Sequence, residues 1–324
     1  MSIAKLRSTK VKRVIDLSII CVNWNSLDYL RKCIASIYAE TRGMEFEIIV
    51  VDNASPEGGV EGLLELFPAV KIIKSEENLG FARANNLGCT YAQGEFILFL
   101  NPDTELRGAA INILLARMRN LPDAGIVGGK LLNTDLTVQT AAIQKFPTIL
   151  NQLANIEILR LRWPACTLWS IAPLFVRNGG PVKVQVIPGA CMLLRRVIFE
   201  KVGMFSEDFF MYGEDLDLNC QVKKLGLSNY YIEDAEIIHH GGKSSSRQTV
   251  SNWSTIMKYR AMQRYYDKNR SPFYSWMYRS AMGASAAGRL LLLALAYPFA
   301  DKAVIRAASS KWTIVLKWAA GWGI

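Results

Sequence analysis

The sequence predicts an open, doubly wound α/β sheet with a helical extension at its C-terminal end, and three observations predict it. Four short runs rich in Ile, Val and Phe, at Leu17 to Val22, Phe46 to Val51, Val70 to Lys74 and Glu95 to Leu100, recur every 24 to 29 residues and read as buried parallel strands. Between the first two, Ser26 is placed to cap a helix with Asp28 in its first turn and Leu27, Leu30, Ile34 and Ile37 along one face. Strand and helix alternate, which is the pattern of a sheet covered by helices. At 324 residues and 51% hydrophobic, the chain is long and apolar enough to bury an enzyme-sized core.

Further along, residues 105 to 121 have the period of an amphipathic helix and 125 to 132 that of another strand. Residues 133 to 183, with Trp163-Pro164, Pro173 and Gly179-Gly180-Pro181, read as loops and short helices. Val184 to Arg196 reads as a strand broken by Pro188-Gly189, followed by a helical turn or two over Val197 to Val202. Residues 253 to 270 have helical period, Ala281 to Ala300 carries one charge, Arg289, and a last stretch holds Trp312, Trp318 and Trp322. The expected organisation is a basic tail over 1–15, an α/β domain over 16–250 and a helical region over 251–324.

The net charge of +10, from 38 basic and 28 acidic side chains, is concentrated at the two ends. Residues 1 to 15 hold five basic side chains and residues 250 to 324 hold eleven against two acidic ones, leaving 22 basic and 26 acidic between them. The middle is not a basic domain, so nucleic acid is not expected as a partner. The cysteines at 21, 33, 89, 166, 191 and 220 are dispersed and read as small buried hydrophobes of a reducing compartment. The basic N-terminus lacks the apolar core of a secretory signal, which makes a cytoplasmic location the expectation.

Ligands of such sheets bind beyond the carboxyl ends of the strands. Asn23-Trp24-Asn25, Asp52-Asn53-Ala54-Ser55 and Asn101-Pro102-Asp103-Thr104 each follow a strand there. Each could be a plain turn, but three polar turns at one edge favour a site. Asp103 can hold a divalent ion against a diphosphate. Glu214-Asp215-Leu216-Asp217 follows the aromatic run Phe209 to Tyr212, where mutual repulsion and desolvation can raise a carboxyl pKa and make a base. His239 and His240, the two histidines of the chain, leave a strand into a glycine-rich turn where one of them can complete a metal site.

Six segments then occur in order: Val51-Asp52-Asn53-Ala54-Ser55, Asn78 to Asn86, Asn101-Pro102-Asp103, Pro188-Gly189-Ala190-Cys191, Phe210 to Leu218, and His239-His240-Gly241-Gly242. Together they resemble family 2 inverting glycosyltransferases, in particular the rhamnosyltransferase-like branch that builds bacterial cell-surface polysaccharide. The resemblance spans residues 16 to 245 and implies a GT-A fold, a Rossmann-like and mostly parallel sheet with a nucleotide-sugar half over 16–104 and an acceptor half over 105–250. It also implies a dTDP- or UDP-sugar donor, possession of a Mg²⁺ or Mn²⁺ ion, a single-displacement mechanism, and a polyprenyl-diphosphate-linked or oligosaccharide acceptor.

By the same resemblance, Asn23 and Asn25 line the nucleoside site and Asp52 accepts from a pyrimidine N3–H. Asn78, Gly80, Arg83 and Asn85 border the donor sugar and diphosphate. Asp103 stands where the family's Asp-x-Asp motif ends, with Asn101 in its first position, so His239 gains weight as a second metal ligand. Asp215 matches the catalytic base, with Glu214 and Asp217 the next acidic candidates. Leu136 stands where branch members often have the glycine of an Asp-Gly turn, which puts that turn in question.

The basic, aromatic C-terminal region predicts contact with an anionic membrane surface at the cytoplasmic face of the cell membrane. Arg289 disfavours a full span, so a peripheral or re-entrant arrangement is expected over the weighed alternative of a helical pair packed on the α/β domain. Two other functions compete: a sugar-phosphate nucleotidyltransferase, which needs an early glycine-rich loop that residues 20 to 32 lack, and a non-catalytic membrane-associated scaffold.

Overall fold

The structure, a computed structural model, describes residues 14–154, 156–177, 179–241 and 252–322. Nearly all of the basic tail, and the Gly242-Lys243-Ser244 part of the histidine turn, lie outside the described residues. In chain order the strands and helices are β1 (Leu17–Asn23), α1 (Leu27–Glu40), β2 (Phe46–Asp52), α2 (Leu63–Leu66), β3 (Lys71–Lys74), α3 (Gly80–Thr90), β4 (Phe96–Leu100), β5 (Thr104–Arg107), α4 (Ala110–Asn120) and β6 (Ala124–Leu132). They continue as α5 (Ile149–Leu153), α6 (Glu157–Arg162), β7 (Val182–Val184), β8 (Cys191–Arg195), α7 (Arg196–Lys201), α8 (Glu214–Lys224), β9 (Ser228–His239), α9 (Asn252–Asn269), α10 (Pro272–Ala296) and α11 (Lys302–Ala320).

One sheet runs β3-β2-β1-β4-β8-β6-β9-β5, with β7 added on β9. The β3-β2-β1-β4 half is parallel, and β4 is buried at every position, as a strand covered on both faces must be. Beyond β4 the sheet is mixed: β8 runs antiparallel to β4 and β6, and β6 and β9 are parallel. Parallel pairing puts the carboxyl ends of β1, β2 and β4 at one edge, where the three polar turns begin.

Four expectations need correction. Residues 104 to 107 are the strand β5, not the start of a helix, because the alternating Thr-Glu-Leu-Arg pairs antiparallel with the end of β9 and buries Thr104 and Leu106; helix α4 begins only after Gly108. Ser26 stands at the N-terminus of α1, yet its hydroxyl donates to Asn23 Oδ1 at 3.0 Å, and Glu57 Oε1 accepts from Leu27 N–H instead. The apolar stretch Ala281 to Ala300 belongs to a longer helix that starts at Pro272, behind the cap Ser271, and stops at Ala296. The turn at Leu136 forms in spite of the missing glycine, with Leu136 itself at φ +65° and Asn133 N–H donating to Thr137 O at 2.8 Å.

Helices α9, α10 and α11 pack onto the α/β domain through a second apolar core that joins Phe209 and Leu216 to Tyr265, Tyr266, Tyr278, Met282 and Trp318. Helices α10 and α11 approach so closely that a Cβ on Gly283 would lie 2.9 Å from that of Ala319. Several aromatic side chains expected at a lipid headgroup layer are therefore interior. No helix among the described residues is long and apolar enough to cross a membrane.

Candidate active site

The carboxyl edge of the parallel strands is held by a web of side-chain amides. Asn23 Nδ2 donates to Asp52 Oδ1 at 2.9 Å and to Ser55 Oγ at 3.0 Å, tying β1 to β2. Asn53 Nδ2 donates to Asn78 Oδ1 at 3.0 Å, while its Oδ1 accepts from Leu79 N–H at 2.8 Å, which draws the start of α3 to the same edge. Gly80 has φ +75°, and a Cβ there would sit 2.1 Å from the Phe210 carbonyl oxygen. That carbonyl accepts from Phe81 N–H at 2.9 Å, so the aromatic run before α8 is stapled to α3.

Two cavities open on this edge. The smaller, about 340 Å³, is lined by Trp24, Asn53, Asn78, Asn101, Asp103 and Gly189, among others. The larger, about 810 Å³, lies between α8 and helices α6, α9, α10 and α11. Both reach Tyr212, Glu214, Asp215 and His239. A small chamber and a large one thus share a wall of two carboxyl groups and an imidazole.

That wall is built by a constrained backbone. Tyr212 at φ +70° and Gly213 at φ +89° turn the chain sharply into α8, which starts at Glu214. Asp215 accepts from Gly189 N–H at 3.1 Å and Leu216 N–H at 2.8 Å. Burial pushes Glu214 up to about 8, helped by the neighbouring charge of Asp215, and its Oε2 has no partner among the described residues. Burial also raises Asp215, opposed by the two amides. Backbone amides oppose the rise at both carboxyl groups, and only Glu214 is pushed up further by its neighbour's charge, so Glu214 holds its proton when Asp215 is charged.

At the floor of the smaller cavity, His239 Nε2 lies 3.4 Å from Asp103 Oδ1 and 3.3 Å from Asn101 Nδ2. Its Nδ1 faces Gln139 Oε1 at 3.0 Å, and the Gln139 amide nitrogen donates to the His239 carbonyl. That double contact orients the ring, with Nδ1 on Gln139 and Nε2 facing Asp103. A nitrogen and a carboxylate facing one cavity suit a divalent ion whose remaining ligands are oxygens. No group of three or more His, Cys, Asp or Glu among the described residues forms a complete cage. His240 is occupied elsewhere, by Glu105 at 2.8 Å and Thr134 at 2.9 Å.

Residues 18–203 match the family described as Glycosyl transferase family 2. The chain belongs to that family. This glycosyltransferase is 28% identical over 250 residues to the N-acetylglucosaminyl-diphospho-decaprenol L-rhamnosyltransferase of Mycobacterium tuberculosis, an alignment covering 73% of this chain and 80% of that protein. Its fold resembles GalNAc-T7, solved with UDP, GalNAc and Mn²⁺, at a TM-score of 0.60 and 13% identity over 96% of this chain and 56% of the other. It also resembles the mannosyltransferase PcManGT from Pyrobaculum calidifontis, in complex with GDP-Man and Mn²⁺, at a TM-score of 0.57 and 14% identity over 96% of this chain and 88% of the other. The fold is GT-A, and both competing functions fall away.

The glycosyltransferase brings Asn78, Gly80, Asn85, Asn101, Asp103, His239, Glu214 and Asp215 to its smaller cavity. Asn23, Asn25 and Asp52 lie at the same strand edge but are not among the residues that line the cavity: Asn25, at φ +52°, accepts from Glu57 N–H at 3.2 Å, and Asp52 is 6% exposed. Arg83 is not among that cavity's lining residues and pairs with Glu77 at 3.5 Å and Glu207 at 3.9 Å. Asp217 faces α9, with Lys268 at 2.8 Å and Asn269 at 2.9 Å. Sequence reasoning did not single out Gln139, whose position in an irregular stretch carries no signal, nor Gly189 as the amide donor to Asp215, although Pro188-Gly189 marked the turn.

Proposed function

We propose that this glycosyltransferase inverts the configuration of a sugar, rhamnose by preference, as it moves it from a dTDP- or UDP-carrier to a saccharide on a polyprenyl diphosphate. The observation that carries the reading is Asp215, held by two amides on the wall between a nucleotide-sized chamber and a larger one. The Mycobacterium tuberculosis relative is named for a diphospho-decaprenol acceptor, and a second, the rhamnosyltransferase WbbL of Escherichia coli, is 23% identical over 231 residues, 68% of this chain and 82% of that protein.

In this reading the nucleotide sugar enters the smaller cavity, with its diphosphate toward Asp103 and His239. Those two side chains would hold a Mg²⁺ or Mn²⁺ ion, which offsets the charge that grows on the departing diphosphate. Both structural neighbours were solved with Mn²⁺. The acceptor enters from the larger cavity. Asp215 takes the proton of its hydroxyl as that oxygen forms a bond to the anomeric carbon, and the bond to the diphosphate oxygen breaks on the opposite face. One displacement gives one inversion, with a single base and no carboxylate nucleophile. Neutral Glu214 keeps a second charge off the wall, which would repel both the diphosphate and ionised Asp215.

Exposed Leu291, Leu292, Leu295, Phe299 and Val304 lie at the far end of the α10–α11 pair, and with the basic side chains nearby they suit a peripheral seat on an anionic membrane at its cytoplasmic face. The deciding experiment is a donor screen with Mg²⁺ or Mn²⁺ and a short polyprenyl-diphosphate sugar, followed by NMR of the product linkage. A product with inverted anomeric configuration is expected; a retained one, or transfer at full rate after EDTA treatment, overturns the mechanism.

A further inference from the structure

The larger cavity contains more positive charge than the chemistry at Asp215 uses. Arg160, Lys258, Arg289 and Lys311 line it, and its carboxyl groups, Glu214 and Asp215, belong to the catalytic wall. Among the described residues, no carboxylate lies within ion-pair distance of Lys258, Arg289 or Lys311. They lie on aromatic rings instead: Lys258 Nζ is 5.1 Å from the Tyr212 centroid, Arg289 Cζ 4.4 Å and Lys311 Nζ 5.1 Å from that of Trp312. Arg160 keeps Glu157 at 3.8 Å, but its buried Nε has no partner. Cations gathered in one concavity focus their field on it and attract an anion.

The order of groups along the cavity says which anion fits. Asp215 marks where the acceptor hydroxyl reacts. Arg289 and Lys311 come from α10 and α11, and past Arg289 the same helix exposes Leu291, Leu292 and Leu295. A sugar, a compact polyanion and a hydrocarbon chain, in that order, match this sequence of carboxylate, cations and apolar helix end. We propose that Lys258, Arg289 and Lys311, with Arg160 as a fourth cation, seat the diphosphate of a polyisoprenoid-linked sugar acceptor. The inference rests on the reading that Asp215 is the base and the larger cavity the acceptor side. It assigns the C-terminal helices a share of the active site in addition to membrane contact.

Direct binding separates the seat from the reaction. Titration of the full chain with farnesyl diphosphate, farnesol and inorganic pyrophosphate should give tightest binding for farnesyl diphosphate, and the double variant Arg289→Gln/Lys311→Gln should weaken it on the order of tenfold or more. The exchange Arg289→Lys should recover part of the loss, and the remote Lys201→Gln should not change binding. In transfer assays the double variant should raise the KM for the acceptor well above any change in the KM for the donor. Unchanged binding of farnesyl diphosphate by the double variant overturns the proposal, as does a rise confined to the donor KM. Equal affinity for pyrophosphate and farnesyl diphosphate overturns the lipid-linked assignment. A protein that binds farnesyl diphosphate through these cations but transfers no sugar contradicts the catalytic reading and leaves the seat standing.

Discussion

The smaller cavity is lined by strand ends and the turns beside them, such as Asn53, Asn101 to Asp103 and Gly189, whereas the larger draws its lining from side chains scattered between Ala141 and Trp312. The first is an arrangement of backbone. Its asparagines bond to main-chain amides and to one another, and Gly80 permits an approach that any Cβ would block. The second is an arrangement of charge and aromatic surface on helices, where many sequences can place a cation. Close backbone approach demands particular residues at particular spacings, and a cationic bowl does not.

Asp215 belongs to both regions, so its loss should produce the largest effect. Asp215→Asn keeps the shape and one of the two amide contacts but removes basicity, and transfer should fall by about 10² to 10⁴ while nucleotide affinity, measured by titration, holds. Turnover near wild type would move the role to Glu214, since Asp217 is committed to Lys268. Next in size, His239→Ala should raise the metal concentration for half-maximal activity on the order of a hundredfold, because removal of even a supporting partner costs about 10 to 100-fold. His240→Ala, whose ring serves Glu105 and Thr134, should shift it far less.

On the backbone-governed side, Gly80→Ala should destabilise the protein by about 2 to 4 kcal/mol from clash and positive φ together, read by denaturant melting. A substitution of similar size in the other region, such as Met262→Leu beside the larger cavity, should cost less than about 1.5 kcal/mol. Comparable losses would erase the distinction drawn above.

This contrast also explains what the sequence made legible. Strands β1, β2 and β4 could be read because a sheet covered on both faces needs unbroken apolar runs, the edge strand β3 from two isoleucines alone, and the edge turns because backbone contacts need Asn, Asp and Gly. β5 was hidden because four residues of alternating pattern merge with the period of the helix that follows. Asn23 and Asp52, given to the nucleoside by resemblance, also tie one strand to the next, a contact that residue type alone does not reveal. The roles of Lys258, Arg289 and Lys311 were hidden because they are 22 to 53 residues apart, and only the packing of α9 to α11 brings them to one cavity.

The wall between the two cavities titrates. Glu214 carries a folded-state pKa of about 8 against an ordinary 4.5, so the native state keeps a proton that the unfolded chain has released. This contribution to stability is full below pH 4.5, falls through the window between, and is lost above pH 8. Glu214→Gln stays neutral throughout, and its stability relative to wild type should rise with pH across that window, by at most about 1.4 kcal/mol per unit. Parallel curves in chemical melts from pH 5 to pH 9 would show Glu214 ionised in the native state, and the assignment of the wall's charge to Asp215 alone would fail.

The smallest effect tests the backbone argument at a left-handed turn position that holds a leucine. Leu136 adopts φ +65° in a turn closed by Asn133 and Thr137, and its side chain is 49% exposed, so little packing offsets the strain. A left-handed conformation costs a residue with a Cβ about 1 to 2 kcal/mol, while glycine adds about 0.4 to 1 kcal/mol of entropy to the unfolded chain. The first term is the larger, so Leu136→Gly should stabilise the protein by roughly 0.5 to 1 kcal/mol, a small rise in Tm with unchanged transfer. A loss of stability would mean that the half-buried part of the leucine contributes more than its backbone strain costs. Then side-chain packing, not the demand for positive φ, would explain how a leucine holds this turn.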